Sequence, residues 1–189
     1  MCLVKYLPQL IEAGVDSLKV EGRTKSLYYV SAVAKAYRNA IDEIMQNPQA
    51  DLEKYFLELK KVGNRGYTTG FALGDNNGES YSYDISKGLA GADFLCEFRS
   101  SLSEGKEMPH LPEDFYLVKI KNKILLNDEV EIITPDEQFK AIVKEIRNDK
   151  GENAELGNTN DEVFIRFSQS PKEPKYAIAR TIGIKGEDR

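Results

Sequence analysis

The turn-forming cluster Asp75-Asn76-Asn77-Gly78 separates two stretches whose apolar residues repeat with different periods, and this change does most to limit what the chain can fold into. Before it the spacing is helical. Val4–Ala13 carries Leu7, Leu10 and Ile11 on one stripe, accepts Pro8 only in its first turn, and meets a stop at Gly14. Leu27–Met45 repeats Val30, Val33, Ala34, Tyr37, Ile41 and Ile44 at intervals of three or four, which predicts one long helix with those residues buried. Asn47-Pro48 interrupts it. Asp51 can then cap a second helix bearing Leu52, Phe56, Leu59 and Val62 and ending before Gly63, so the two helices should pack as a hairpin. After the cluster the period falls to two. Tyr81–Ile85, Asp93–Arg99, Phe115–Ile120, Glu129–Thr134, Phe139–Ile146, Glu162–Phe167 and Tyr176–Ile182 are short, rich in β-branched or aromatic residues, and parted by Gly, Asn, Asp or Pro. A small closed antiparallel β-barrel is the expected result, because closure removes edges that would otherwise template aggregation. Glu129 and Glu131 alternate with Val130 and Ile132 and are expected to face outward. Asn148–Asn160 reads as a solvated hairpin loop. The fold class is therefore α+β, with a helical portion over residues 1–78 and a β-barrel over 79–189.

The helical portion contains an unusual joint, Ala13–Tyr29. Ser17-Leu18-Lys19-Val20-Glu21 alternates as a short strand with Leu18 and Val20 on one face and Ser17, Lys19 and Glu21 on the other. A turn through Gly22 follows, and Thr24 or Ser26 can cap the helix that begins near Leu27. Strand, turn and helix make half of a βαβ unit, in which ligands gather at the carboxyl end of the strand, where Lys19 to Lys25 lie. The same residues also suit a solvated edge strand with an ion pair. A second segment, Arg65-Gly66-Tyr67-Thr68-Thr69-Gly70-Phe71, holds two glycines around polar and aromatic residues and reads as an ordered loop.

These two segments carry a resemblance. SLKVEGRTKSLYY, Ser17–Tyr29, and NRGYTTGF, Asn64–Phe71, resemble the two landmarks of the peptidase family U32, the collagenase-like proteases and prephenate-dependent tRNA uridine hydroxylases. The resemblance implies that residues 1–78 end a (β/α) barrel and add a helical hairpin, and that residues 79–189 form the family's C-terminal β-barrel, similar to a translation-factor barrel. It implies a part in hydroxylating a tRNA wobble uridine, with tRNA or another RNA as partner. The alternatives it leaves are collagenase-like peptidase activity and a non-catalytic RNA- or protein-binding barrel. Charge chemistry and motif together nominate Lys19, Glu21 and Arg23 as catalytic, with Lys19 and Glu21 inside the barrel, where burial beside one another would tune proton transfer. Lys25 with Ser26, Tyr28 and Tyr29, and then Arg65 and Tyr67, are the substrate-binding candidates, the cations for phosphate or carboxylate and the rings for stacking on a base. Cys2 resembles the last of four cysteines that hold an iron–sulfur cluster in hydroxylating members. Alone it cannot bind one, so the cluster and prephenate belong to a longer protein, completed by the remaining barrel or a second U32 chain.

Composition limits the other function classes. No window approaches the roughly 18 consecutive apolar residues of a membrane helix, and the first twenty residues lack the pattern of a secretion signal, so the cytoplasm is the expected compartment. Cys2 and Cys96 cannot form a disulfide scaffold, and the single histidine, His110, has no partner in sequence, which opposes independent proteolysis. The net charge of −5 divides unevenly, with +2 over residues 1–72 and −7 over 73–189, so a phosphate-facing surface is expected on the first portion. An isolated barrel strand would leave Leu18 and Val20 partly uncovered, which predicts association or local disorder before residue 30.

Overall fold

The computed structural model describes residues 1–64, 66–74, 91–103 and 105–183. They fall into two compact units, one within Met1–Gly91 and the other spanning Ala92–Gly183. The expected boundary at Gly78 and the expected strand Tyr81–Ile85 lie outside the described residues.

In the first unit a 3-10 turn, Val4–Tyr6, leads into α1 (Leu7–Glu12), with Pro8 in the first turn where its missing N–H costs nothing. Gly14 takes a left-handed φ of 81° and donates to the Ile11 carbonyl, while Val15 donates to that of Leu10. That pair of bonds is a Schellman closure, which a residue with a Cβ would resist. α2 (Leu27–Gln46) begins at Ser26, whose Oγ accepts from the Tyr29 amide at 3.2 Å. α3 (Glu53–Lys60) follows Asp51, whose Oδ1 accepts from the Glu53 amide at 2.9 Å. The hairpin forms as expected, and α2 buries the expected stripe in part: Val33 and Ile44 are buried and Tyr37 and Ile41 are half-buried against the core, but the stripe is shifted toward the alanines. Tyr28, Ala32, Val33, Ala36, Ala40 and Ile44 face the core, whereas Val30 and Ala34 are exposed. Ala36 and Ala40, one turn apart, share an apolar cluster with Val4, Leu7, Leu52 and Leu59, and larger side chains at those two positions would hold the elements farther apart.

The expected strand Ser17–Glu21 does not form; Val15–Gly22 is irregular and exposed apart from half-buried Gly22. A strand needs a neighbour for its ladder bonds, and none pairs with it among the described residues. The (β/α)-barrel end expected over residues 1–78 is thus not formed by the described part of this chain. Leu18 and Val20 remain exposed.

The second unit is the expected barrel. Its strands are β1 (Phe94–Phe98), β2 (Phe115–Ile120), β3 (Ile124–Leu125), β4 (Glu129–Ile133), β5 (Gln138–Arg147), β6 (Asn153–Ala154), β7 (Leu156–Gly157), β8 (Glu162–Phe167) and β9 (Ile178–Thr181). Six of them run in the order β4-β9-β1-β2-β8-β5, and β5 pairs back onto β4, so the sheet closes. Every pairing is antiparallel. Cys96, Val118, Ile120, Val130, Ile132, Val143, Ile146, Ile165 and Ala179 fill the interior. β2 and β8 are also apolar outside, where Leu117 and Phe164 pack with Leu102 in a second small cluster. Asn148–Asn160 includes the expected hairpin, with β6 paired antiparallel to β5, and is more ordered than a loop, since β7 also pairs with β3.

One polar pair departs from the outward alternation. Glu131 on β4 is buried, directly opposite the fully buried Arg180 on β9. Arg180 Nε donates to Glu131 Oε2 at 2.8 Å, and Gln138 Nε2 donates to Oε1 at 3.0 Å. Alternation places Glu131 on the barrel's outer face, yet both members of the pair are buried.

Candidate functional site

The charged segment is a solvated arc leading into the N-terminus of α2. Lys19 and Glu21 side chains are 88% and 70% exposed, with Nζ 3.9 Å from Oε2. Their expected position inside a barrel, sharing a buried environment, is not found, for want of the neighbouring strands that would enclose them. Glu21 Oε1 accepts from the Arg23 amide at 3.2 Å, and Lys25 donates its amide to the Gly22 carbonyl at 3.0 Å. The turn is thus held by its own backbone and carboxylate. Lys25 Nζ sits 5.3 Å from the centre of the Tyr29 ring. Ser26 serves as the helix cap. Three cations and one carboxylate therefore stand in water beside the positive end of a 20-residue helix, an arrangement suited to holding an anion.

The remaining candidates separate from that arc. Tyr28 is buried and donates its hydroxyl to the Lys61 carbonyl at 3.0 Å, so its ring is packed and unavailable for stacking. Tyr29 is half-buried against the apolar cluster, with Lys25 over its face. Tyr67 is also half-buried, donates to the Leu59 carbonyl at 3.0 Å, and lies 5.9 Å from the Phe56 ring. Burial pushes the Tyr67 hydroxyl well above its ordinary pKa, as expected for a neutral structural donor. The loop around it is ordered by Asn64, whose amide donates to the Val62 carbonyl and whose Oδ1 accepts from Gly66, and by the Thr68 carbonyl, which accepts from Cys2. Arg65 lies outside the described residues.

Cys2 is buried, with Sγ 3.8 Å from the hydroxyl of Tyr37, which also accepts from the Leu3 amide at 3.1 Å. Burial pushes the Tyr37 hydroxyl up to about 12. Among the described residues no group of three or more His, Cys, Asp or Glu side chains could hold a metal. A single buried thiol does not supply the ligands of a cluster by itself. Cys96 lies in the barrel core, and His110 is exposed.

Two arrangements on the barrel escaped the sequence reading. Glu162 is buried at the start of β8 and accepts from Ser103 Oγ at 2.7 Å and the Ser103 amide at 3.2 Å, with Lys106 Nζ at 3.7 Å. The hydrogen bond from the Ser103 hydroxyl is the main cause holding its carboxyl below the ordinary range. The second is an aromatic groove beside Phe98 and Tyr176. Both join residues far apart in sequence, and no spacing signals them.

Residues 1–82 match peptidase family U32, and residues 97–180 match the peptidase family U32 C-terminal domain. The chain belongs to peptidase family U32. It is 33% identical over 169 residues to tRNA hydroxylation protein P of Haemophilus influenzae, covering 88% of this chain and 35% of that protein. The Escherichia coli protein of the same name is 31% identical over 151 residues, covering 79% of this chain and 31% of its own length. A collagenase of Porphyromonas gingivalis is 30% identical over 78 residues, covering 40% of this chain and 22% of its own length. The chain thus spans about a third of the length of the tRNA hydroxylation relatives. Among solved structures, the C-terminal domain of a Geobacillus thermoleovorans U32 peptidase aligns at 18% identity with a TM-score of 0.36, covering 47% of this chain and 99% of that one. No helix among the described residues is long and apolar enough to cross a membrane.

Proposed function

We propose that this chain contributes to tRNA hydroxylation, at a wobble uridine, as part of a longer U32 protein or beside a partner chain that supplies the other barrel strands. The carrying observation is the similarity to tRNA hydroxylation protein P across 88% of this chain, which runs through both units. In this reading the first unit supplies an anion-holding arc. Arg23 offers a planar two-pronged contact and Lys25 a point charge, fitting a phosphate of the RNA or a carboxylate of prephenate. Lys19 and Glu21 are assigned proton handling once neighbouring strands cover them, because burial of adjacent opposite charges is what sets their protonation. Exposed Leu18 and Val20 support that covering, being the apolar face such strands would bury.

The peptidase reading is less well supported. Proteolysis needs a nucleophile within reach of a base, and both cysteines are buried while His110 stands in an exposed loop. The test is nucleoside mass spectrometry of tRNA from a bacterium lacking its own tRNA hydroxylation protein P, complemented by that protein carrying residues 1–189 in place of its matching region. Restored hydroxyuridine that is lost with the charge reversal Arg23→Glu and Lys25→Glu is expected. Restoration unaffected by the reversal would refute the assigned arc, and no restoration by a folded chimera would refute the functional reading.

A further inference from the structure

The barrel carries a groove of about 700 Å³, lined by Phe98, Arg99, Met108, Tyr116, Lys175 and Tyr176 among others. Its floor is an aromatic layer. Phe98 meets Tyr116 at 5.5 Å between ring centres and is stacked on Phe167 at 5.7 Å and 18°, so the floor is fixed from beneath. Opposing material comes from the turn before β9. The Pro174 carbonyl accepts from Ala177, whose own carbonyl accepts from the Phe98 amide, both at 3.0 Å, and this ties the turn to β1. Within it Tyr176 takes a φ of 65°, a left-handed conformation that bulky residues adopt at a cost, yet its side chain stays largely in water. The barrel gains little packing from that ring. Strain at a bulky residue on a groove rim is characteristic of ligand sites.

The cations are interleaved with these rings. Lys175 Nζ lies 5.2 Å from the Tyr176 centroid. Arg99 is at the rim, where its partner carboxylate, Glu97, is shared with Lys121 at 3.4 Å, so two cations divide one anion. Glu173 also lines the groove, but its Oε1 is engaged by the Lys175 amide at 2.9 Å. Beyond the groove, the guanidinium groups of Arg147 and Arg166 each lie 5.8 Å from the Phe115 ring, but both are paired with Glu145, and Arg166 also with Asp114, so the cations offered to a ligand are Arg99 and Lys175. Rings alternating with cations are what a single-stranded nucleic acid requires, a π-face for each base and a positive group for each phosphate. An extended peptide has less to use here, because the six-stranded barrel is closed and leaves no free edge for strand addition.

We infer that this groove holds an unpaired RNA nucleotide, its base stacked on Tyr176 and Tyr116 and its flanking phosphates at Arg99 and Lys175. The inference rests on the RNA-modifying reading above and gives the barrel a binding role within it. The base must be unpaired, since a paired base keeps its faces within the helix.

The test is fluorescence anisotropy of the full 189-residue chain with a labelled, unstructured eight-nucleotide RNA at low and moderate salt. Tyr176→Ala should weaken binding about 5- to 100-fold, the range for losing one stacked base, while Tyr176→Phe should keep most of it. Arg99→Gln with Lys175→Gln should lower the slope of log affinity against log salt by about 1 to 2. Far-UV circular dichroism checks that each variant is folded. Tight binding left unchanged by Tyr176→Ala would overturn the groove assignment while leaving the hydroxylation reading intact, because that reading is judged on tRNA nucleosides. Equal competition by a blunt RNA duplex would also overturn it. So would a parent chain that ignores RNA but binds a gelatin peptide in a Tyr176-dependent way.

Discussion

Removing the carboxylate from the Glu131–Arg180 pair should destabilise the barrel more than most single substitutions do. Arg180 is fully buried, and its Nη2 and Nε lie 2.6 and 2.8 Å from Glu131 Oε2. At an effective dielectric of about 20, charges this close attract by roughly 6 kcal/mol, but several kcal/mol of lost hydration per ion opposes this. The pair is therefore near neutral relative to a well-packed apolar replacement, whereas removing only the carboxylate takes a close counter-charge from a fully buried guanidinium, which is costly. Glu131→Ala should cost about 3–5 kcal/mol. A unit of roughly 90 residues has only about 5–14 kcal/mol in total, and loses about 4–8 °C of melting temperature per kcal/mol, so a fall of about 12–40 °C is expected. Glu131→Leu combined with Arg180→Met, which removes both charges, should lie within about 1 kcal/mol of the parent. Urea titration followed by near-UV circular dichroism measures all three proteins. The reasoning fails if Glu131→Ala costs under about 1 kcal/mol, or if the double variant is no more stable than Glu131→Ala.

Three further outcomes follow from individual contacts. Burial pushes the Cys96 thiol up to about 12, so at pH 8 only on the order of one molecule in ten thousand carries the thiolate, and alkylation of Cys96 should track unfolding in urea; rapid labelling of the native chain at Cys96, located by peptide mass spectrometry, would contradict this. Ser26→Ala removes the cap of α2 and should cost about 1 kcal/mol by thermal denaturation, with Ser26→Asp restoring it. Glu162 has a folded-state pKa below its unfolded value of about 4.3, so its contribution is present above that pH and is lost as pH falls through the folded value. Since Ser103 is the main cause, Ser103→Ala should lower the urea midpoint more at pH 7 than at pH 3, and an equal loss at both would sink the assignment.

The barrel was legible because antiparallel strands carry their own register of faces. Phe115–Ile120 and Glu162–Phe167 form with the bounds that their alternation and flanking turn residues indicate. Alternation tells which residues share a face, but not whether something covers that face. Glu131 illustrates the difference: its neighbours place it outward, and the opposed Arg180, 49 residues away, together with Gln138 shows how a buried carboxylate is tolerated. Spacing locates only part of the α2 stripe, for a related reason: Val33, Tyr37, Ile41 and Ile44 join the apolar cluster, while Val30 and Ala34 are exposed. Spacing alone selects Val30, yet Ala32, Ala36 and Ala40 are the small residues that the helix buries.

The site was less legible because its features belong to pairs of distant segments. Ser17–Glu21 has the composition of a strand, but a strand is a relation between two chains of hydrogen bonds, and no partner runs beside it among the described residues. Tyr28 and Tyr29 look equivalent in sequence. One helical step of about 100° sends the first into the core, bonded to Lys61, and leaves the second half-exposed beneath Lys25. Net charge misleads in the same way. The −7 over residues 73–189 points phosphates away from the barrel, yet screening confines exposed charges to about 8–10 Å, so a bound phosphate responds mainly to the groups beside it. At the groove rim those groups are Arg99, sharing Glu97 with Lys121, and Lys175, set against a Glu173 already engaged by a backbone amide. A nucleotide can therefore dock on an acidic barrel, provided that stacking supplies what the mean charge withholds.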